Sequence, residues 1–185
     1  MIGWLGALCA LTLLTALPAQ ADQMDKRLDD MFARLAATRS PVVAKATENE
    51  IWSIWTTHSD ERVRRYMSAG IRQLSDGQVS EALITFSRLV ELEPKFAEAW
   101  NKRATVYYLM HDYDASARDI AETLKLEPRH FGALSGLGLV NIALGRARAA
   151  IAAFEMALAH HPNLPGVLEN IKNLKESVKG TETPI

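Results

Sequence analysis

Apolar side chains recur every three or four residues along most of the chain, a pattern that predicts amphipathic helices. One stripe is formed by Leu28, Met31, Phe32 and Leu35, and after Ser40-Pro41 a second is formed by Val43, Ile51, Ile54 and Trp55. The last stripe is formed by Leu164, Val167, Leu168, Ile171, Leu174 and Val178, opposite charged residues. The two ends of the chain are therefore predicted to be a helical hairpin and a closing helix.

The middle of the chain repeats itself every 34 residues, as the spacing of Pro94, Pro128 and Pro162 shows. Aligning the chain on these prolines brings further residues into columns. Gly70, Ala104 and Gly138 form one column of small residues, Gly77 and Gly145 form another, and Ala82 and Phe86 align with Ala150 and Phe154. A fixed period of this length indicates stacked supersecondary units.

This period and pattern resemble the tetratricopeptide repeat family. The middle repeat carries Trp100, Arg103-Ala104, Tyr107 and Pro128, and the first carries Tyr66, Ala69-Gly70, Ala82, Phe86 and Pro94. The third carries Leu134, Leu137-Gly138, Ala150, Phe154 and Pro162. The departures are Gln73 and Asn141 in place of the second aromatic, and Ser116 and Ile120 in place of Ala and Phe. The resemblance implies an all-α solenoid of helix pairs.

The resemblance and the apolar stripes together divide the chain. We predict three repeats over 60–162, with units at 61–94, 95–128 and 129–162. An N-terminal helical hairpin occupies 22–59, and a degenerate fourth repeat is an alternative for it. A capping helix follows in 163–185 and ends in a polar tail that we expect to be disordered from Lys179.

Local residue choices explain how a unit closes. Small residues at Gly70, Ala104 and Gly138 allow the two helices of a pair to approach, while Gly77 and Gly145 suit the turn between them. The second repeat has His111-Asp112 at that turn, which is less favourable unless Asp112 caps the next helix.

The first 21 residues have the pattern of a signal peptide. Ile2 to Leu17 are nearly all apolar and carry no charge, Pro18 interrupts the run, and Ala19-Gln20-Ala21 has the small-x-small form of a cleavage site. We expect cleavage after Ala21 and a periplasmic mature chain. No Lys or Arg precedes the apolar run, so an uncleaved inner-membrane anchor is the alternative.

Composition and charge argue against several functions. The net charge of -1 provides no basic face for nucleic acid. The lone Cys9 lies in the leader, and none of the five histidines has a partner four residues away on one helix, so we expect no metal or other cofactor. With no phosphate loop or nucleophile motif and no acid–base pair, we expect that the protein is not an enzyme and has no small-molecule substrate.

The resemblance implies that the first helix of each unit lines a concave groove that holds a peptide or a helix. Helical spacing selects a partner-binding lining, namely Arg64, Met67, Ile71, Asn101, Lys102, Thr105, Tyr108, Ser135 and Leu139. This lining departs from the Lys-, Arg- and Asn-rich clamp with which chaperone cofactors of the family grip an acidic C-terminus. We interpret Asn101 as a bidentate grip on a peptide backbone.

Two features leave the groove open to alternatives. Gly132 and Gly136 lie on one face of a predicted helix, which indicates close approach of either a partner or a neighbouring helix. If the N-terminal hairpin folds into the groove, the surface left for a ligand shrinks.

The resulting hypothesis is a periplasmic scaffold or adaptor that binds an envelope-associated protein and supports the cell envelope. The alternative is a structural subunit that self-associates or is anchored in a membrane complex by its leader. The oligomeric state stays open between them.

Overall fold

The computed structural model describes residues 25–182, with side chains to Lys179. Within these residues every regular element is a helix, which confirms the all-α prediction. The helices are α1 (Arg27–Ala37), α2 (Pro41–Thr56), α3 (Glu61–Ser75), α4 (Val79–Leu92), α5 (Ala97–Leu109), α6 (Tyr113–Leu126), α7 (Phe131–Ala143), α8 (Ala147–His160) and α9 (Pro165–Glu182). The predicted signal peptide, 1–21, lies outside the described residues.

Three helix pairs stack in chain order, which confirms the predicted solenoid. The pairs are α3–α4, α5–α6 and α7–α8, and the second helix of each pair also packs on the first helix of the next. Helix α9 packs on α8 and closes the array. The predicted disordered tail is wrong in part, because α9 continues through Lys179 to Glu182. Residues 183–185 lie outside the described part.

Glycine in the small-residue column makes room for the aromatic side chain of the paired helix. A Cβ atom added to Gly70 would lie 2.5 Å from Cζ of Phe86, and Gly138 meets Phe154 in the same way. Phe86 and Phe154 are both fully buried. A larger residue at Gly70 or Gly138 would therefore clash with the phenylalanine ring of the paired helix.

The second pair reaches the same packing by another route. Ile120 takes the place of the aromatic residue and lies in one buried cluster with Ala104. The hydroxyl of Ser116 donates to the carbonyl oxygen of Ala104 at 2.8 Å, so the buried polar side chain is satisfied. The departure of this repeat from the family pattern thus leaves no unpaired hydroxyl at Ser116.

The turns within the pairs require a left-handed residue. Gly77 has φ 73° and Gly145 has φ 69°, and His111 adopts φ 62° at the equivalent turn. This conformation costs an L-residue about 1–2 kcal/mol. The Oδ1 atom of Asp112 accepts from the backbone N–H of Ala115 at 3.0 Å, which confirms the expected cap. Nδ1 of His111 lies 2.8 Å from the Tyr113 hydroxyl.

The N-terminal hairpin folds back over the array instead of stacking in front of α3. Helix α2 begins as predicted, with Pro41 in its first turn and the Ser40 hydroxyl accepting from the Val43 N–H at 3.4 Å. The main contacts of the hairpin are those of α1 with α8 and of α2 with α5. The hairpin therefore does not occupy the position of a fourth repeat, and it covers part of the inner face.

Candidate functional site: a partly covered groove

The inner face of the array is formed by α3, α5 and α7. Because the repeat period is 34 residues, Glu98 and Gly132 occupy equivalent positions on α5 and α7, as do Thr105 and Leu139. Residues near the beginnings of these helices and residues near their ends form two halves of the groove. The hairpin covers the half where the helices begin and leaves the other half accessible.

Two tryptophans of α2 cover the half of the groove where α5 and α7 begin. The Trp55 ring stacks on His130 at 4.1 Å between centroids and 12° between planes. Both Trp52 and Trp55 also contact Phe131, at 5.4 Å and 5.0 Å. Trp55 is 1% exposed and Phe131 2%. The chain therefore fills this half of the groove with its own side chains.

Trp52 also accounts for one of the two glycines on α7. A Cβ atom at Gly132 would lie 2.6 Å from Cη2 and 3.0 Å from Cζ2 of Trp52. At Gly136 a Cβ atom would meet only Ile120, at the ordinary distance of 3.5 Å. The close approach that the sequence indicates is thus made by the chain's own α2 at Gly132, while Gly136 faces a small cavity.

A buried carboxylate organises the polar groups beneath the tryptophans. Glu98 is 1% exposed, and its Oε1 lies 2.9 Å from the Lys102 ammonium. Its Oε2 accepts from Nδ2 of Asn101 and from Nε2 of His130, both at 2.9 Å. The Lys102 ammonium also lies 5.2 Å from the Trp52 ring centroid, in cation–π contact. We call Glu98, Asn101, Lys102 and His130 the Glu98 network.

The protonation states in the Glu98 network follow from its geometry. Nδ1 of His130 accepts from the Ala133 backbone N–H at 3.1 Å, so Nε2 carries the proton that is donated to Glu98. Burial raises the pKa of Glu98, but the Lys102 ammonium and the hydrogen bond from His130 outweigh it and hold that pKa below its ordinary value. The network is therefore an ionised carboxylate matched by one ammonium and two neutral donors.

Polar contacts at the rim tie the hairpin to the array. The Arg129 guanidinium donates to Asp29 of α1 at 2.7 Å and lies 4.5 Å from the Phe32 ring centroid. It also pairs with the buried Glu127 at 3.0 Å. The Asn163 amide donates to the Thr38 carbonyl oxygen at 3.3 Å. The contacts of Arg129 with Asp29 and of Asn163 with Thr38 join residues that are 100 and 125 positions apart in the chain.

Two further histidines lie at the same interface. His161 is fully buried, edge-on to Phe131 at 5.0 Å, with Nε2 3.6 Å from Glu48 of α2. His160 lies 6.3 Å from Phe32 between ring centroids. Burial lowers the pKa of both imidazoles below the usual histidine value, so both are neutral at pH 7. Their environment is that of packed interface residues.

The other half of the groove is open and apolar. We call its accessible residues the open strip, and they are Thr105, Tyr108, Leu109, Leu139 and Ile142. Leu109 is 49% exposed, Leu139 36% and Ile142 37%. Asn101, Thr105, Tyr108 and Leu139 also surround a small cavity of about 80 Å³.

A larger cavity adjoins the open strip. It measures about 660 Å³ and lies between α2, α7 and α9, and we call it the lateral pocket. Its apolar lining includes Leu139, Leu164 and Val167, and its polar lining includes Ser135 and Asn163. Cavities of several hundred Å³ with a few polar groups are typical ligand sites. Leu139 borders both cavities, so the lateral pocket and the open strip form one surface.

The structure brings together five of the predicted lining residues, namely Asn101, Thr105, Tyr108, Ser135 and Leu139. Met67 is wrong as a lining residue, because it is 2% exposed in the core with Val63 and Phe86. Ile71 packs partly on that same core. Arg64 is exposed, and its guanidinium donates to the carbonyl oxygens of His58 and Ser59, both at 2.6 Å.

The expected roles of Asn101 and Lys102 need correction. Asn101 is 7% exposed and donates to Glu98, so it is held inside the network and is not a free bidentate grip. Lys102 is paired with Glu98 beneath Trp52. Sequence reasoning missed Trp52, Trp55, Glu98 and His130 as residues of the groove. The available signal was Gly132, the glycine that leaves room for a large side chain.

Within the described residues, the structure contains no group of three or more His, Cys, Asp or Glu side chains arranged to hold a metal ion. Among the helices between Arg27 and Glu182, none combines the length and the hydropathy that crossing a bilayer requires.

Comparison with known proteins identifies the family. A family model described as tetratricopeptide repeat matches residues 102–165. A TPR repeat-containing protein of Rhizobium etli is 32% identical over 158 residues, which cover 85% of this chain and 78% of that protein. The chain is a tetratricopeptide repeat protein. The first repeat, which lies outside the matched residues, carries the same helix pair in the structure.

Solved structures share the fold of this tetratricopeptide repeat protein. The first TPR of Spaghetti (RPAP3) bound to an HSP90 peptide superposes with a TM-score of 0.62 at 17% identity, over 65% of this chain and 96% of that one. The Sgt2 TPR domain from Aspergillus fumigatus superposes with a TM-score of 0.63 at 18% identity, over 68% and 87%. At these identities the likeness concerns the fold alone.

Proposed function

We propose that this tetratricopeptide repeat protein is a non-catalytic scaffold that binds an apolar peptide or helix of another protein along the open strip and in the lateral pocket. The observation that carries the proposal is that one half of the groove is filled by α2 while the other half keeps accessible apolar side chains. Leu109, Leu139 and Ile142 are each more than a third exposed on one face. Clustered exposure of this kind marks interaction surfaces.

The covered half of the groove limits what can bind. Lys102 is engaged by Glu98 and Trp52, and Asn101 by Glu98, so neither is free to grip a terminal carboxylate. The first TPR of Spaghetti is bound to an HSP90 peptide, SRMEEVD, which is acidic. For the present chain the open strip favours apolar contacts instead. In the lateral pocket, Ser135 donates to the Phe131 carbonyl oxygen and Asn163 to that of Thr38, and the side-chain oxygens of both can still accept from a peptide backbone.

A photo-crosslinking residue at Leu139 tests the groove, because Leu139 borders both cavities. We expect one dominant cellular protein to be attached, identified by mass spectrometry. With the crosslinker at Tyr108 instead, replacing Leu139 by aspartate should reduce that product by about tenfold, since a charge on an apolar contact surface costs one or more kcal/mol. The yield is measured on blots of matched samples.

The matched control for this experiment is Met156→Asp on α8, because Met156 is also exposed, at 53%, but lies off the open strip. It should leave the crosslinked product unchanged. Equal loss in both variants, or crosslinks only to a second copy of the chain, would reject the groove as a partner site. Crosslinking to a second copy would favour the structural-subunit alternative.

We further propose that the chain is exported to the periplasm, where its partner is associated with the cell envelope. The sequence of residues 1–21 supports this, with an apolar run that ends before Ala19-Gln20-Ala21. We expect the protein purified from the periplasmic fraction to begin at Asp22, as measured by intact mass and N-terminal sequencing. An intact mass that retains Met1, with the protein in the membrane fraction, would support the anchored alternative and reject cleavage.

A further inference from the structure

The N-terminal end of the array presents a face that the repeat symmetry would fill with a helix. The first helix of the second pair, α5, is covered by α4, and the first helix of the third pair, α7, is covered by α6. Helix α3 is the first helix of the first pair, and the hairpin that precedes it folds onto the groove. Tyr66, at the position equivalent to Trp100, is 40% exposed.

Charged residues on this face replace residues that are buried elsewhere in the array. Ala99 and Val106 of α5 are fully buried, and Ala133 and Val140 of α7 are at most 1% exposed. The residues 34 positions before Ala99 and Val106 are Arg65 and Arg72, and both are exposed. The same geometric positions therefore contact a helix in two repeats and carry arginines in the first.

The face has a shallow depression and an excess of positive charge. Arg62, Arg65, Tyr66 and Ala69 of α3, with Thr85 of α4, surround a depression of about 450 Å³. Helix α3 carries four arginines and one glutamate in a protein of net charge -1. Asp60 forms an ion pair with Arg62 at 2.9 Å. The ion pair of Glu61 with Arg65 is longer, at 3.7 Å, and the side chains of Glu61 and Arg65 are both about 70% exposed.

We infer that the α3 end face docks an amphipathic helix of a partner protein that carries carboxylates. The helix would take the place that α4 has on α5, with apolar residues on Tyr66 and Ala69 and carboxylates toward Arg65 and Arg72. An end cap that serves only solubility needs a polar face, but it does not need a depression lined by a tyrosine or an excess of arginines over carboxylates. Residues 1–21 contain no Asp or Glu and so lack the required carboxylates.

Two labelled peptides test the inference on the purified protein. Both are helices of about 18 residues built from Leu and Ala, and one carries Glu where the other carries Lys. Fluorescence anisotropy should show that the Glu peptide binds at least about tenfold more tightly than the Lys peptide, because the local field of α3 favours carboxylates. The doubly substituted variant Arg65→Glu, Arg72→Glu should remove that preference. Both residues are exposed, so folding is retained, as circular dichroism would show.

A charge-matched control separates a docking site from general electrostatic attraction. Arg146→Glu with Lys172→Glu changes the net charge equally at exposed positions outside α3 and should leave binding of the Glu peptide within about twofold. Equal binding of the two peptides, or equal loss in the two double variants, would overturn the inference. So would a dimer in sedimentation that the α3 substitutions dissociate, since the face would then bind a second copy. Leu139→Asp should leave this binding intact, which keeps the result independent of the groove.

Discussion

Replacing Glu98 by alanine is expected to lower the free energy of unfolding by about 3 kcal/mol, which is the lower end of the range for removing one partner of a buried charge pair. The variant leaves the N–H of His130 Nε2 without an acceptor in a fully buried site and leaves the Lys102 ammonium beneath Trp52 without its carboxylate. Asn101 loses its partner at the same time. Urea unfolding followed by far-ultraviolet circular dichroism measures the change.

The controls for Glu98 separate burial from charge. Glu98→Gln keeps an acceptor for His130 but removes the charge, so its loss should be smaller than that of the alanine variant. Glu122→Ala removes a carboxylate whose side chain is 41% exposed and paired with Lys125, and it should change stability by less than about 0.5 kcal/mol. A loss below about 1 kcal/mol for Glu98→Ala would mean that water replaces the missing carboxylate, and the network would then not hold the hairpin.

The features that could be predicted from the sequence are those that recur every 34 residues or lie close together in the chain. The helix pairs follow from the prolines, the turns at Gly77 and Gly145 follow from glycine's freedom, and the Asp112 cap follows from a residue three positions from its donor. Repeat contacts are local, so their pattern is visible in a single chain.

The position of the hairpin could not be predicted in the same way. Its contacts join Trp52 to Gly132 and Asp29 to Arg129. The 34-residue period does not relate the members of either pair, so the repeat pattern could not indicate these contacts. The error at Met67 has a related cause. Helical spacing places Met67 and Asn101 at equivalent positions, but in the first pair that position packs into the core. Which residues line a groove depends on the tertiary packing, and spacing alone identifies only the candidates.

The hairpin also gives the groove its boundaries. Because Trp52 and Trp55 fill the half where α5 and α7 begin, a partner has access to the open strip and to the lateral pocket between α2 and α9. Three residues of α2 line that pocket, namely Pro41, Lys45 and Glu48. The hairpin is therefore a wall of the proposed site as well as a cover, and displacing it should change binding as well as stability.

Replacing Gly132 by alanine is expected to destabilise the protein by about 1–2 kcal/mol, although alanine is the better helix former. The added Cβ would lie 2.6 Å from Trp52 Cη2, and the ring cannot move freely because it is packed against Trp55, His130 and Phe131. The hairpin should therefore loosen. Hydrogen exchange of the α2 amides and the fluorescence of the tryptophans measure this directly, and urea unfolding gives the loss of stability.

Gly136→Ala makes the same chemical change one helical turn away on α7 and should have the opposite effect. Its Cβ would meet only Ile120 Cδ1, at 3.5 Å, so the gain in helix propensity of about 0.5–1 kcal/mol is retained. Exchange of the α2 amides should not change in this variant. If both alanine variants were stabilised, Trp52 would be free to move away from α7, and the groove would be covered by a mobile side chain instead of a fixed wall. If Gly132→Ala alone accelerates exchange in α2, the fit between Gly132 and Trp52 is what holds the hairpin on the groove.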